Sequence, residues 1–175
     1  MPSRLLILGD GGATEVRPGG DLPVRRADGG VAPMRWGLIP QGRRNARGRP
    51  VLDTLVNARS ETLFAKSAWS GVRRGTVEIS GWIEAKGKEQ WRIGAADGGS
   101  ILIAVVWDAW QAPGGREIPQ AATVTCAPSD AVASIHDRMP VVLTGDAAAA
   151  WLDGTEAEAA AACRPWPAAH PMRLN

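Results

Sequence analysis

Residues 76–84 read TVEISGWIE and residues 91–110 read WRIGAADGGSILIAVVWDAW, and these two stretches decide the fold class. In the first stretch apolar and polar side chains alternate, which is typical of a strand with one face on a core. The alternation predicts that Glu84 lies on the more polar face. In the second stretch the DGG at residues 97–99 predicts a hairpin turn. The apolar run at residues 101–107 predicts a central strand that is buried on both faces.

The rest of the chain adds short strands and short helices. Further strands are predicted at residues 5–8, 21–27, 34–40, 122–127 and 141–143. Helices are predicted at residues 61–68 with Ser60 as cap, 131–135, 146–152, and 156–163 with Thr155 and Glu158 as a capping box. The result is an α+β fold, a mixed sheet with peripheral helices, in a single domain over residues 1–175. Residues 165–175 are predicted to form an extended, proline-rich tail.

The composition limits the compartment and the kinds of site. Cys126 and Cys163 are the only cysteines and have no CxxC spacing, so neither a disulfide framework nor a zinc site is predicted. No other metal and no cofactor is expected. The apolar run Leu5–Leu8 is too short for a signal sequence or a membrane span. We therefore expect a soluble protein in a reducing cytoplasm, with no membrane partner.

Arginine and tryptophan are the unusual features of the composition. The net charge of +2 excludes binding to nucleic acid by bulk charge alone, but 17 of the 20 basic residues are arginines, since only three are lysines. The segment RRNARGR at residues 43–49 contains four of them, including the adjacent Arg43 and Arg44. Arginine suits bidentate phosphate contacts, and tryptophan beside arginine often holds single-stranded nucleic acid. A solvated loop and a tryptophan-rich core would give the same composition.

Four short segments carry polar residues that a plain core does not require. They are MRWGLIP at 34–40, NARSE at 57–61, GWIE ending at Glu84, and HDRMP at 136–140. Each has an ordinary structural explanation, namely a turn, a surface strand residue, a histidine at a helix C-terminus, or a surface ion pair. Their order along the chain, however, favours a functional explanation for all four together.

These motifs, with VVWDAW and the extension IHDRMPVVL, make the chain similar to the SRAP family of SOS response-associated peptidase-like proteins, over about residues 1–150. RWGLIP and IHDRMPVVL are near-complete family motifs, whereas GWIEAK is a looser version of a Gly-Phe-Tyr-Glu-Trp pattern. The resemblance implies a β-rich α+β fold with a barrel-like core around a positively charged cleft for single-stranded DNA. It also implies a monomer in the cytoplasm, associated with the nucleoid, that acts in the DNA damage response.

The resemblance further implies recognition of abasic sites, with covalent capture of the ring-opened sugar aldehyde. Asn57 would then position the reacting groups, Glu84 would act as acid and base, and His136 would protonate or stabilise the oxygen of the opened sugar. Arginines would bind the phosphates beside the lesion, and a tryptophan at the cleft wall would contact a base. The expected DNA contacts are Arg4, Arg35, Trp36, Arg43, Arg44, Arg59 and Arg138.

The chain departs from the family pattern at its second residue. The family begins Met-Cys-Gly-Arg, and its freed cysteine closes a thiazolidine on the aldehyde, whereas this chain begins Met1-Pro2-Ser3-Arg4. Because Arg4 keeps the register, Pro2 takes the place of the cysteine and offers no thiol. Once Met1 is removed, the secondary amine of Pro2 can attack the aldehyde and form an iminium, which leads to a crosslink or to strand cleavage.

Three alternatives remain open at this level. One is a non-catalytic paralogue that binds single-stranded or abasic DNA without bonding to it. Another is a thiol peptidase, as the family name suggests, which would need Cys126 as nucleophile although this residue lies inside a predicted strand. The last is a purely structural role without DNA.

Overall fold

The computed structural model of the protein describes residues 3–9, 11–41, 45–49, 52–167 and 172–174. This part of the chain forms thirteen strands, three short α-helices and two 3-10 turns. The strands are β1 (Arg4–Gly9), β2 (Gly12–Val16), β3 (Asp21–Arg26), β4 (Val31–Trp36), β5 (Asn57–Arg59), β6 (Arg73–Ile79), β7 (Gly81–Lys86), β8 (Glu89–Ala95), β9 (Ile101–Gln111), β10 (Glu117–Cys126), β11 (Met139–Pro140), β12 (Val142–Leu143) and β13 (Met172–Leu174). The helices are α1 (Asp130–Ala133), α2 (Ala147–Asp153) and α3 (Glu156–Ala162), and the 3-10 turns span Ser60–Thr62 and Ser67–Trp69.

Five of these strands close into a barrel. β10 pairs with β4 on one edge and with β9 on the other, and β4, β3, β6 and β9 pair in succession. The β4–β10 pair is parallel, and the other four pairs are antiparallel. In a closed barrel, the backbone N–H and C=O groups that would be unpaired at the edges of an open sheet are hydrogen-bonded to a neighbouring strand. The fold is therefore α+β with a β-rich, barrel-like core and peripheral helices, and the predicted fold class is confirmed.

The other large element is an antiparallel sheet with the strand order β13-β8-β7-β1-β2. It includes Met172–Leu174, so the predicted C-terminal tail contributes a strand that pairs with β8. Trp166, in the same tail, is buried with its ring centroid 6.2 Å from that of Trp82 on β7. The tail is therefore packed onto this sheet at two points.

The stretch at residues 76–84 is divided between the barrel and the sheet. β6 ends at Ile79 in the barrel, and Ser80 then donates its backbone N–H and its hydroxyl to the Leu6 carbonyl, at 2.8 and 3.2 Å. Buried and exposed side chains alternate regularly only along a continuous strand. The bend interrupts this alternation, so the face that was exposed in β6 is buried in β7. Glu84 is 1% exposed and Ile83 is partly exposed, so the prediction that Glu84 lies on the polar face is wrong.

The predicted hairpin around residues 97–99 is also wrong, although the predicted turn forms. Gly98 donates its backbone N–H to the Ala95 carbonyl at 3.0 Å, but β8 pairs with β7 and β13 while β9 pairs with β6, β10 and β12. Turn chemistry is local, whereas pairing depends on which strand edges the rest of the chain offers. The central buried strand is confirmed, since residues 103–106 of β9 are 0% exposed.

The helix predictions are partly correct. α1, α2 and α3 match the predictions, and the capping box at α3 is present, with Thr155 donating its N–H to Glu158 Oε2 at 2.7 Å. The predicted helix at residues 61–68 is wrong, because this segment forms only the two 3-10 turns and Ser60 makes no capping hydrogen bond. Only Leu63 of this segment is buried, so no apolar face holds a helix against the barrel.

Tryptophan fills much of the core. The buried tryptophans are Trp36, Trp69, Trp82, Trp107, Trp151 and Trp166. Trp151 attaches α2 to the barrel by donating its indole N–H to the Gly75 carbonyl at 2.8 Å. Among the residues described, no helix has the length and apolar character needed to cross a membrane.

Candidate functional site

Some of the predicted site residues lie around the C-terminal end of β10. β5 runs parallel to this strand, with Asn57 opposite Thr123 and Arg59 opposite Thr125. On the other edge β11 pairs antiparallel, with Pro140 opposite Thr125. The NARSE and HDRMP motifs, distant in the sequence, therefore flank the same strand end.

Glu84 is the most deeply buried ionisable residue of the predicted set. It lies on β7 opposite Trp91 and is 1% exposed. Burial raises the pKa of this carboxyl, and the nearby imidazole of His136 opposes the rise. A carboxyl in this situation can exchange a proton closer to neutral pH than an exposed glutamate can.

His136 follows α1 and is held near β7. Lys86 of β7 donates from Nζ to the Ser134 carbonyl at 2.6 Å, which ties the end of α1 to the strand that carries Glu84. The Nδ1 atom of His136 accepts the backbone N–H of Arg138 at 3.0 Å, and Asp137 Oδ1 lies 2.9 Å from the same nitrogen. Since a backbone N–H can only donate, the neutral ring that accepts it carries its proton on Nε2.

Arg138 is engaged by protein groups. Its guanidinium donates to both carboxylate oxygens of Glu61, at 2.6 and 2.9 Å, and also to the Thr125 carbonyl. The ion pair lowers the pKa of Glu61. With a side chain only 12% exposed, Arg138 is occupied by Glu61 where a phosphate contact was expected.

Asn57 and Arg59 line one surface groove, because residues two apart on a strand share a face. The groove has a volume of about 580 Å³ and also includes Thr62, Lys66 and Trp69 among its lining residues. The Oδ1 atom of Asn57 is buried and has no hydrogen-bond partner among the described residues. An unsatisfied buried oxygen costs stability, so Asn57 Oδ1 remains an acceptor for a donor that the described residues do not supply.

Arg4 and Arg35 occupy two different places. Arg4 opens β1 opposite Ile83, so the start of β1 runs beside the residue that precedes Glu84, and its guanidinium lies 3.6 Å from Glu15. Arg35 pairs in register with Gln120 and donates to its side chain at 3.0 Å. Gln120 lies several residues before the C-terminal end of β10, and each residue of a strand adds about 3.3 Å of length. Arg35 therefore lies apart from the C-terminal end of β10, which is flanked by Asn57, Arg59 and Arg138.

Trp36 lies in the core and not at a cleft wall. It is 0% exposed, and its indole N–H donates to the Val56 carbonyl at 3.0 Å. β4 turns this side chain inward, so neither ring face is available to a base. The expectation that Trp36 stacks on a base is therefore not met in this structure.

Three predicted residues, Pro2, Arg43 and Arg44, lie outside the described residues. The described remainder of the arginine segment is an exposed turn, in which Asn45 accepts the backbone N–H groups of Arg47 and Arg49 at 2.9 and 3.1 Å. The turn presents two arginine side chains to solvent.

The cysteines do not form a nucleophilic site. Burial raises the pKa of Cys126 to about 12, and the residue is 2% exposed in β10. A thiol with this pKa is protonated at neutral pH, which argues against the thiol peptidase hypothesis. Within the described ranges no group of three or more His, Cys, Asp or Glu side chains is placed to hold a metal ion.

Gln120 is a residue that sequence reasoning missed. It is 0% exposed, accepts the Ile39 N–H and donates to the Ile39 carbonyl, both at 2.9 Å, and donates to Asp108 at 2.7 Å. These bonds fix RWGLIP on the barrel just before the arginine segment. The available signal was a glutamine within the otherwise apolar stretch of β10.

The fold and the site together define a class of protein. It is a β-barrel domain that has a buried carboxyl interacting with an imidazole and a surface groove lined by arginine and lysine. The chain belongs to the SRAP family, because the family model for SOS response associated peptidase matches residues 13–173. The predicted family resemblance is confirmed. The matched range does not include Pro2 or Arg4.

Several curated proteins are similar to this chain. Abasic site processing protein YoqW of Bacillus subtilis is 29% identical in an alignment of 131 residues that covers 69% of this chain and 56% of that protein. Abasic site processing protein YobE of the same organism is 30% identical over 128 residues, covering 69% and 57%. Abasic site processing protein HMCES of Mus musculus is 25% identical over 165 residues, covering 70% and 45%. The chain spans about half the length of these relatives.

Solved structures share the fold. A crystal structure of a protein from Bordetella bronchiseptica matches with a TM-score of 0.79 at 24% identity, covering 98% of this chain and 97% of that one. One from Bacteroides thetaiotaomicron matches with a TM-score of 0.77 at 23% identity, covering 91% and 75%.

Proposed function

We propose that the protein acts in the DNA damage response, as a monomer that binds single-stranded DNA at abasic sites and reacts with the ring-opened sugar aldehyde. The observation that carries the proposal is Glu84, a carboxyl that is 1% exposed, has a raised pKa and lies near His136. A protein that only contacts phosphates and bases has no need of such a group. SRAP membership and relatives named abasic site processing proteins support the choice of lesion.

Glu84 and His136 suit the opening of the sugar ring. An abasic sugar is a cyclic hemiacetal, and opening it requires a proton on the ring oxygen and the loss of a proton from the hydroxyl on C1′. In the proposed step Nε2–H of His136 donates a hydrogen bond to the ring oxygen, the C1′–O4′ bond breaks, the Glu84 carboxylate accepts the proton of the C1′ hydroxyl, and the ring oxygen takes up a proton from solvent. The products are an aldehyde at C1′ and a hydroxyl at C4′. Asn57 would hold the sugar or the attacking amine through its unsatisfied Oδ1.

Pro2 is the proposed nucleophile, after removal of Met1. Arg4 pairs with Ile83, the residue before Glu84, and this register supports a nucleophile at the N-terminal end of β1. The amine nitrogen bonds to C1′, water leaves, and a cationic iminium forms. Loss of a C2′ proton to Glu84 or His136 then expels the 3′ phosphate, and hydrolysis restores the amine. Without the elimination, the product is a crosslink.

The phosphates would follow the groove lined by Arg59 and Lys66, because both side chains line it beside Asn57. Arg43 and Arg44 are proposed as further contacts from the arginine segment, and Arg4 from the start of β1. Arg35 and Arg138 are bonded to Gln120 and Glu61, so they would act by holding the structure around the site. Affinity should fall as the salt concentration rises, since arginine–phosphate contacts release counterions.

The test is trapping of the iminium. The protein is incubated with single-stranded DNA containing one abasic site, with and without cyanoborohydride, and the adduct is located by peptide mass spectrometry. The expected result is a reduced adduct on the nitrogen of Pro2. Intact-mass measurement of the same preparation checks that Met1 is absent. Glu84→Gln should slow adduct formation by about 100-fold or more while changing the affinity for DNA little.

Two controls make the result decisive. Undamaged DNA of the same sequence should bind through the same phosphates and give no adduct, and protein acetylated at its N-terminus should bind but not react. An adduct on a lysine, or an unchanged rate for the acetylated protein, would refute the assignment of Pro2.

A non-catalytic binding protein is the second candidate function. The observation that favours it is the family match, which begins at residue 13 and gives no support to Pro2 as the counterpart of the reactive residue. In that case the protein binds abasic DNA but neither traps nor cleaves it, and Glu84→Gln is without effect in the trapping assay.

A further inference from the structure

We infer that Glu61 is a positioning residue for His136: acting through Arg138, it holds the imidazole in the tautomer that carries its proton on Nε2. The inference concerns the geometry of the free protein, and its value for catalysis rests on the proposed function. It connects the NARSE motif, which contains Glu61, to the HDRMP motif, which contains His136 and Arg138.

The connection runs across the end of β10. Glu61 lies in the 3-10 turn that follows β5, and Arg138 immediately precedes β11, so these two residues approach from opposite edges of the strand. The Arg138 guanidinium donates to Glu61 Oε1 at 2.6 Å and to Oε2 at 2.9 Å, and it also donates to the carbonyl of Thr125 in β10. A bidentate arginine–carboxylate pair fixes direction as well as distance.

Arg138 is held on its side chain by Glu61 and at the following backbone position by the pairing of Met139 with Cys126 in β10. The backbone N–H of Arg138 donates to Nδ1 of His136 at 3.0 Å, which requires a lone pair on that nitrogen. Asp137 Oδ1, 2.9 Å from the same atom, favours a proton on Nδ1. The Asp137 side chain is 83% exposed and can turn to water, whereas the Arg138 guanidinium is held by both Glu61 and Thr125. The backbone bond therefore sets the tautomer.

Three charged groups surround His136, and only the exposed Asp137 opposes this assignment. Asp137 is the exposed neighbour, Glu84 is the buried one, and Arg138 is neutralised by Glu61. With Nδ1 occupied by the backbone, Nε2–H is the group that can donate a hydrogen bond to a ligand. Loss of Glu61 would leave the Arg138 guanidinium held by Thr125 alone, loosen the backbone bond to Nδ1, and let Asp137 compete for the ring.

Nitrogen NMR of the histidine rings tests the inference directly. The chain has two histidines, and His170→Gln identifies the signals of His136. Above the titration range of the ring, the native protein should show His136 with Nδ1 unprotonated and Nε2 protonated. Glu61→Ala should give averaged signals from both tautomers, and Glu61→Gln, which keeps one hydrogen-bond acceptor, should give a smaller change. Glu117→Ala, an exposed glutamate at the opposite end of β10, is the matched control and should leave the tautomer unchanged.

Activity supplies a second readout. Glu61→Ala should lower the rate of adduct formation on the order of tenfold, with less than about a twofold change in DNA affinity, and should alter the pH profile. A native His136 protonated on Nδ1, or an unchanged tautomer in folded Glu61→Ala, overturns the inference. If Glu61→Ala does not fold, Glu61→Gln decides by the same criterion. If the tautomer shifts as expected but native protein neither traps nor cleaves abasic DNA, the inference stands and the proposed function fails.

Discussion

At the scale of single residues, the buried carboxyl of Glu84 lowers the stability of the folded protein when it is ionised. The carboxyl is almost fully removed from water, and burial raises its pKa despite the nearby His136. A group whose pKa is higher in the folded state than in the unfolded state favours folding only when it is protonated. Its stabilising contribution is complete below the unfolded pKa and is lost as the pH rises through the folded pKa.

This sign gives a prediction for Glu84→Gln. The glutamine amide is neutral at every pH. The variant should therefore match the native protein in stability near pH 4 and have a Tm several degrees higher near pH 8. For a chain of this size, 1 kcal/mol in the free energy of unfolding shifts Tm by about 2–4 °C. Calorimetry at both values measures the difference. Glu117→Gln, at an exposed position, should show no comparable pH-dependent gain. A variant less stable than the native protein at pH 8 would show that the charged form of Glu84 is stabilised in the fold.

At the scale of secondary-structure elements, the bend between β6 and β7 decides what Glu84 can do. It moves the chain from the barrel into the second sheet and turns Trp82 and Glu84 inward. Gly81 makes the bend possible, since its φ is +155° and a Cβ there would lie 2.4 Å from the Ile93 carbonyl oxygen. That oxygen is part of the backbone and cannot move away easily.

Gly81→Ala should therefore destabilise the protein by about 2–3 kcal/mol, which lowers Tm by roughly 5–10 °C. Gly87→Ala is the matched control, because Gly87 also has a positive φ, +64°, but nothing lies within 4 Å of its Cβ position. Gly87→Ala should lower the free energy of unfolding by only about 1 kcal/mol. Equal losses in thermal unfolding would mean that backbone strain, and not the clash with Ile93, requires glycine at position 81.

At the scale of the whole molecule, β10 is the strand on which the structure converges. It closes the barrel with β4 and β9, carries β5 and β11 at its C-terminal end, and holds RWGLIP through Gln120. Burial raises the pKa of Asp108, which accepts from Gln120 and from Gln41. The same network therefore joins the barrel to the chain that leads into the arginine segment.

Gln120→Met tests this link. The side chain is similar in size but leaves Asp108 and both backbone groups of Ile39 without their buried partner, so we expect a loss of about 2–4 kcal/mol in urea unfolding. If RWGLIP positions the arginine segment, the salt dependence of DNA binding should also weaken. Gln111→Met, at an exposed glutamine bonded to Glu117, should change stability by less than about 0.5 kcal/mol. If Gln120→Met is destabilised but its DNA binding depends on salt as strongly as that of the native protein, Gln120 has only a structural role.

The sequence by itself determined the fold class, the buried central strand, the capped C-terminal helix and the motifs of the SRAP family. These follow from periodicity, cap residues and short local patterns, which need no knowledge of what packs against them. The tertiary structure alone decided that Glu84 is buried, that Trp36 is in the core, that β8 and β9 belong to different sheets and that Arg138 binds Glu61. Each of these features depends on contacts between residues that are far apart in the sequence. Such contacts form only when the barrel and the second sheet assemble, so local sequence patterns do not contain them.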